Sequence, residues 1–208
     1  TAVGHHALKL NTTAADNTAV GRNALCTTTT GCVNTAVGSS AMQSNTTGDE
    51  NVAIGGGALY DNTTADHNTA VGHNAATNTT TGKDNTVVGS SALFTNTTGH
   101  DNVVIGCGAL YSNTSGADNI GIGYQALYNN TSACSNSAMG WQAMAANTTG
   151  DFNTAVGFTA LTANTTADNN TAIGHMALKT NTGAGHHNTA VGSFALNSNT
   201  TAADNVAI

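Results

Sequence analysis

Eight His, four Cys and eleven acidic residues are the side chains of this 208-residue sequence that could bind a metal or catalyse a reaction. His5, His73 and His175 fall at the same place in the repeat described below, four and six units apart. If units stack about 4.8 Å apart, these rings are separated by about 19 and 29 Å, too far to share an ion. We expect solvated loop histidines, no metal and no cofactor.

The cysteines show no CxxC pair and no repeated spacing, so neither a zinc site nor a disulfide framework is predicted. We interpret all four as buried or incidental thiols: Cys26, Cys32, Cys107 and Cys134. No nucleophile elbow, phosphate loop or isolated carboxylate pair stands out from the repeat. The sequence therefore predicts a protein that is not an enzyme and has no catalytic residues.

Some acidic residues form a partial row near the end of the unit: Asp16, Asp84, Asp101, Asp118 and Asp204. Calcium-binding β-rolls place Asp within a Gly-rich nonapeptide that this sequence lacks. The row instead predicts a solvated, charged edge that opposes sideways pairing with another sheet.

Composition narrows the functional classes further. Only 7% of the residues are charged, and Pro is absent. Four Lys and Arg residues are outnumbered by eleven Asp and Glu residues, which gives a formal net charge of -7. These scattered cations cannot neutralise a run of phosphates, so we expect no nucleic-acid binding. The apolar runs are far shorter than the roughly 20 residues of a membrane span, so we expect no membrane insertion. This unusual amino-acid composition favours a repeating or fibrous architecture.

A 17-residue repeat fills the chain. Asn opens each unit, at Asn17, Asn34, Asn51, Asn68, Asn85, Asn102, Asn119, Asn136, Asn153, Asn170, Asn188 and Asn205. The step lengthens to 18 once, where residues 183–187 hold one extra residue. About twelve units leave no residues for another domain. We predict a single repeat domain over residues 1–208, as a segment of a longer fibre.

The consensus unit is Asn-Thr-Ala-Val-Gly-x-x-Ala-Leu-x-x-Asn-Thr-Thr-Gly-x-Asp, numbered below as positions 1 to 17. β-Branched residues at positions 2 and 4 indicate a short strand with one face toward a core. We predict that the core is formed by position 4: Val20, Val37, Ile54, Val71, Val88, Ile105, Ile122, Met139, Val156, Ile173 and Val191. Gly at position 5 predicts a corner, Ala and Leu at positions 8 and 9 a second inward contact, and Asn-Thr-Thr-Gly a closing turn.

This period is too short for helical hairpin repeats or propeller blades, and the unit has too few Leu for a leucine-rich repeat. Asn-Gly hairpin dipeptides are absent, which favours parallel stacking of coils over an antiparallel meander. We therefore predict an all-β, parallel β-solenoid of about twelve 17-residue coils, about 55–60 Å long. The position-1 asparagines are expected to form a hydrogen-bonded structural ladder along it.

One slender column buries little apolar surface for the backbone entropy that it loses. The small residues at position 3 offer a surface on which a neighbouring chain could pack. We predict a parallel homo-oligomer.

Asn51-Val52-Ala53-Ile54-Gly55 and its copies resemble the head-domain repeats of trimeric autotransporter adhesins. The unit beginning at Asn153 is also similar to repeats of bacteriophage tail fibres. The resemblance covers the whole chain, although the unit is longer by its Asn-Thr-Thr-Gly turn and the family's stalk and anchor are missing. It implies a left-handed β-roll, a side-by-side homotrimer, and extracellular display on a cell or virion surface for attachment.

Aromatic residues are the strongest irregularities in the repeat. Five of them predict either a surface-binding patch, for a host-surface glycan or protein, or a better packed interface between chains: Tyr111, Tyr124, Tyr128, Trp141 and Phe158. Asn-x-Thr/Ser sequons recur at Asn45, Asn62, Asn96, Asn113, Asn147, Asn164 and Asn199. They indicate either a lane of glycans or turn chemistry repeated in every unit.

Three functions remain compatible with the sequence. The leading hypothesis is a non-catalytic structural fibre shaft on a virion or cell surface, with a contribution to adhesion. The second is the subunit of a free-standing extracellular filament that assembles end to end. The third is ice binding by a flat grid of Thr, which is weakened because Val or Ile replaces Thr at Val52, Val103, Ile120 and Val206.

Overall fold

The computed structural model describes residues 1–208. Its regular secondary structure consists of thirteen short strands, one for each passage of the chain through positions 2 to 4. In chain order they are β1 (Ala2–Val3), β2 (Thr18–Val20), β3 (Thr35–Val37), β4 (Val52–Ile54), β5 (Thr69–Val71), β6 (Thr86–Val88), β7 (Val103–Ile105), β8 (Ile120–Ile122), β9 (Ser137–Met139), β10 (Thr154–Val156), β11 (Thr171–Ile173), β12 (Thr189–Val191) and β13 (Val206–Ala207). Each pairs in parallel with its neighbours in sequence, so one sheet runs from β1 to β13. The predicted parallel β-solenoid of about twelve 17-residue coils is confirmed.

Equivalent residues of successive coils lie side by side along the sheet. Thr18 pairs with Thr35, a shift of 17 residues, whereas Thr171 pairs with Thr189 across the longer step. The extra residue lies in the turn, where the Asn181 side-chain amide donates to the carbonyl of Gly185 at 2.9 Å, four residues on. The equivalent bond of Asn164 spans three residues. The insertion therefore leaves the strand register intact.

No helix in the chain has the length and apolarity required to cross a membrane. The regular structure is confined to the strands and the turns between them.

The prediction that position 4 forms the core was wrong. The central residue of every strand from β2 to β12, usually Ala at position 3, faces the interior and is buried, as Ala53 is. Seven position-4 side chains are 36–41% exposed: Val20, Val37, Ile54, Val88, Ile105, Met139 and Ile173. The other four are only half-buried: Val71, Ile122, Val156 and Val191. Since alternate residues of a strand face opposite sides, burying position 3 turns positions 2 and 4 outward together.

The predicted second inward contact at positions 8 and 9 is confirmed. Ala24 and Leu25, and their equivalents as far as Ala177 and Leu178, are buried and form one continuous apolar cluster with the position-3 residues, whereas the corresponding pairs of the two end coils are partly buried. The large position-9 side chain fills the interior, which explains why the opposite wall is built from Ala. Leu25 adopts a left-handed backbone conformation with φ 47, as do the position-9 residues of the other coils. That conformation directs the side chain inward from a tight turn.

Two asparagine ladders follow the column, and the second is interrupted in two coils, where Thr28 and Thr79 replace Asn. At position 1, the predicted ladder is confirmed: Asn17 Oδ1 accepts from the backbone N–H of Asn34 at 2.8 Å. A second ladder at position 12 was not predicted; there Asn113 Nδ2 donates to Asn96 Oδ1 at 2.9 Å. Both rows are buried, so their amides meet the hydrogen-bonding needs of turn backbone that water cannot reach.

Gly121 is the one position-3 residue without a side chain, and it makes room for Leu110. A Cβ added to Gly121 would overlap Leu110 Cδ1. We expect Gly121→Ala to lower the free energy of unfolding by about 1–3 kcal/mol and Leu110→Ala by about 2–5 kcal/mol. In the double variant the overlap disappears, so the combined loss should be smaller than the sum by about 1 kcal/mol or more.

Denaturant unfolding of the four proteins checks this coupling. Leu161→Ala combined with Gly121→Ala is the control, because Leu161 lies two coils beyond the coil of Gly121 and its effect should simply add. Additive losses for the Leu110 pair would show that the two side chains do not compete for space.

Candidate interaction surface

The outward side of the sheet, which we call the outer sheet face, consists of the position-2 and position-4 side chains of β1 to β13. Position 2 carries Thr, Ser, Val or Ile and position 4 carries Val, Ile or Met, so the face has no charged residue in any coil. The hydroxyl groups of Thr69 and Thr86, like the other position-2 Thr hydroxyls, donate no hydrogen bond within the chain. Two parallel rows, one partly hydroxylated and one aliphatic, therefore face outward over the whole column.

Glycine separates this face from the next side chain along the coil. Gly123 at position 5 packs directly against the backbone of Gly140 and carries no side chain. Along the chain, only this glycine separates the residue at position 6 from the aliphatic row at position 4.

The predicted aromatic cluster divides into two separate stacks. Tyr111 and Tyr128 belong to a position-10 ladder with Phe94, in which ring centroids are 5.2 Å apart. The position-6 ladder contains Tyr124, Trp141, Phe158 and His175, with centroids 4.9–6.1 Å apart. The structure stacks the five predicted residues in two rows instead of one cluster, because like positions of successive coils lie side by side.

The rings of the position-6 ladder are stacked face to face, so their edges are exposed to solvent. Trp141 stacks on Tyr124 in the coil before it and on Phe158 in the coil after it, with interplanar angles of 16° and 7°. Both faces of the indole are thus occupied, and a sugar ring finds no free face there on which to stack. The three rings still remain 42–46% exposed. What the ladder offers a partner is a flat apolar edge.

Histidines are distributed along the column as the sequence indicated, except that His175 is stacked on Phe158 at a centroid distance of 5.5 Å. At the first coil, desolvation and then the neighbouring His5 and Lys9 lower the pKa of His6. No group of three or more His, Cys, Asp or Glu is arranged to hold a metal ion, and the column contains no pocket.

Position 16 has a role that sequence analysis missed. Its side chain accepts a hydrogen bond from the backbone N–H of the same position one coil earlier, as Asp66 Oδ1 does from Asp49 at 2.8 Å. Cys32 and Cys134 occupy this place in their coils, and each Sγ accepts a backbone N–H at 3.4 Å. The recurrence of Asp at position 16 was the available signal. All four cysteines are free thiols, and Cys107 is exposed.

The predicted acidic row lies at position 17, one residue further on, where the backbone is left-handed. Asp84 pairs with His67 at 3.3 Å and with Lys83 at 3.7 Å, and Asp101 pairs with His100 at 2.8 Å. These side chains are substantially exposed, so their ion pairs stabilise the fold little. They form a charged edge that precedes each strand, with the buried position-1 Asn between it and position 2.

The sequon asparagines belong to the buried position-12 ladder. Six of them are fully buried in the folded chain: Asn45, Asn62, Asn96, Asn113, Asn147 and Asn164. Asn199, near the end of the column, is half-buried and donates to the carbonyl of Ala202 at 2.9 Å. The repeated Asn-Thr-Thr segment is thus turn and ladder chemistry, as one of the two interpretations held.

Comparison of the chain with protein-family models, with curated proteins and with solved structures finds no match. The chain is a 17-residue-repeat β-solenoid with asparagine ladders. Its function must be argued from its surface.

Proposed function

We propose that this chain is a non-catalytic segment of a structural fibre shaft, displayed outside the cell on a virion or cell surface, in which parallel copies pack side by side. The observation that carries the proposal is the outer sheet face. It is uncharged over thirteen strands, and seven of the eleven aliphatic side chains of its position-4 row from β2 to β12 are 36–41% exposed. Side-by-side packing of copies would bury that row.

The size of the face favours this interpretation. Twelve coil spacings of about 4.8 Å and a strand of three residues give an area on the order of 500 Å². The largest apolar patch of a typical soluble monomer covers about 300–600 Å² and is often functional. A contact between copies would also extend to position 6, which brings the area toward that of a stable interface.

The partner that fits best is a second copy of this chain. Because both surfaces have the same coil spacing and carry no charge, they can interdigitate along their full length without burying an unpaired ion. The resemblance to adhesin heads and tail fibres favours three copies around a common axis. End-to-end growth into a free-standing filament is the alternative assembly, and it would not cover the outer sheet face.

Ice binding is the second candidate, because the position-2 Thr hydroxyls make no hydrogen bond within the chain and paired Thr residues recur from coil to coil along the sheet. Against it, Val52, Val103 and Ile120 replace Thr by aliphatic residues within the same row. Such replacements suit an apolar contact and interrupt a hydroxyl lattice. A thermal hysteresis assay on the purified chain tests this candidate, and measurable hysteresis would favour it over the shaft.

The mass in solution tests the shaft directly. We expect light scattering after size exclusion to give a discrete mass of three chains, against 20.6 kDa for one. Ile105→Lys places a charge in the centre of the outer sheet face, where the side chain is 41% exposed, so it should dissociate the assembly while circular dichroism stays unchanged.

Thr98→Lys is the matched control, since Thr98 is exposed in the turn, away from the outer sheet face. It should leave the mass at three chains. A single-chain mass for the unaltered protein would overturn the proposal, and a mass that grows without limit as the concentration rises would favour the filament.

A further inference from the structure

The outer sheet face cannot by itself determine how two copies align. Its residues are nearly the same in every coil, so sliding one copy by a coil, or reversing it, brings similar side chains together. Surfaces with such regular repeats specify register weakly. A shaft with a single structure needs a second feature that differs along the column.

Position 6 differs along the column in this way. In the earlier coils it is occupied by small or polar residues such as Ser39, Gly56 and Ser90. From Tyr124 to His175 it becomes the aromatic ladder, whose Tyr, Trp and Phe residues are nearly half exposed and lie two residues after the aliphatic row in each coil. The column therefore has one apolar, aromatic flank in its later half and a polar flank in its earlier half.

We propose that the position-6 ladder of one copy packs against the same ladder of another copy and thereby fixes parallel orientation and axial register. This inference rests on the proposed self-association. Parallel, in-register packing places the edge of Trp141 against aromatic rings of the partner copy and removes apolar edges from water. Aromatic contacts of this kind contribute to affinity beyond the area that they bury.

Antiparallel packing and packing shifted by one or more coils leave some of these rings without apolar partners. Reversing one copy about β7, the middle strand, sets Trp141 at the level of His73 and Phe158 at the level of Gly56. A shift of one coil leaves a ring at each end of the ladder beside a polar or small residue. Each misalignment costs apolar contact, and the cost rises with the number of coils shifted.

The single tryptophan gives a first test. If the ladder is covered in the assembly, the emission of Trp141 should shift to longer wavelength in the dissociated Ile105→Lys variant. Identical emission maxima for a three-chain assembly and the single chain would overturn this inference and leave the shaft proposal standing.

Spin-label distances measure register and orientation. A nitroxide is attached at position 6 after β3 through the variant S39C. The four natural cysteines are first replaced by residues that occupy the same positions in other coils: C26T, C32D, C107S and C134D. With the ladder intact we expect one narrow distance. Reversal would separate the labels axially by eight coils, about 38 Å, and each one-coil slip would add about 4.8 Å.

Removing the ladder with Tyr124→Ser, Trp141→Ser and Phe158→Ser uses a residue that position 6 carries in three other coils. The distance should broaden into several coil steps while the mass stays at three chains. The control removes the position-10 ladder with Phe94→Thr, Tyr111→Thr and Tyr128→Thr, and should keep the narrow distance. A narrow distance after loss of the position-6 ladder overturns the register inference alone, whereas a single-chain mass for the unaltered protein overturns both proposals.

Discussion

Gly55→Ala is expected to lower the free energy of unfolding by at least about 4 kcal/mol or to prevent folding. Gly55 has φ +136, a conformation that residues with a side chain rarely adopt. An added Cβ would also overlap the carbonyl oxygen of Gly72 and lie 2.6 Å from its carbon. Both obstacles are backbone, held in place by the next coil, so no side-chain movement relieves them.

The neighbouring Gly56 is the matched control. A Cβ there would lie 3.7 Å from its nearest contact, His73 Cδ2, and other coils carry Ser at this position. Gly56→Ala should be neutral or stabilise the chain by up to about 1 kcal/mol, because Ala loses less backbone freedom on folding. Urea unfolding of the two variants, one residue apart, makes the comparison. If the two variants changed the free energy of unfolding equally, the close backbone packing at Gly55 would not be what requires glycine there.

Asn102→Ala should lower the free energy of unfolding by about 3–5 kcal/mol. Asn102 is fully buried; its Nδ2 donates to the carbonyl of Gly116 at 3.0 Å, and its Oδ1 accepts from the backbone N–H of Asn119 at 3.0 Å. The same side chain also donates to Asn85 Oδ1 at 3.0 Å and accepts from Asn119 Nδ2 at 3.2 Å, so truncation removes four buried hydrogen bonds, each of which contributes about 1 kcal/mol. The backbone N–H of Asn119 is left without an acceptor, whereas the Gly116 carbonyl still accepts from Asn113 Nδ2 at 3.0 Å.

Asn129→Ala provides the comparison, since Asn129 is exposed and its side chain makes no hydrogen bond within the chain. It should change stability by less than about 0.5 kcal/mol. Thermal unfolding followed by circular dichroism distinguishes the two variants. A loss for Asn102→Ala no larger than that for Asn129→Ala would mean that the ladder bonds add nothing to stability.

The period, the parallel stacking, the Gly corner and the position-1 ladder could all be predicted, because each depends on one residue type repeated at one place. Which side of the strand faces inward could not be settled by alternation within three residues. A signal was nevertheless present: Thr18 and Ser137 put hydroxyl groups at position 2, which shares its side with position 4. A side that accepts hydroxyls faces water or a partner, so Ala at position 3 had to be the buried residue.

The second ladder shows a different reason for missing a feature. Asn113 and its equivalents precede a Thr-Thr-Gly or similar turn, and that turn explained the asparagine without requiring its burial. Only the stacked coils show that its amide bonds to the next asparagine instead of to solvent. The aromatic residues were recognised, but their division into two ladders depends on the path of the chain between positions 6 and 10.

The hydrogen bonds between coils run along the column axis, since the paired strands are stacked in that direction. A force that pulls the two ends of one chain apart therefore acts along these bonds and opens them one coil after another. Each released coil would add roughly 55 Å of extended chain, so a stretched column absorbs work in equal steps. Bundling copies at the outer sheet face would make neighbouring columns share that load.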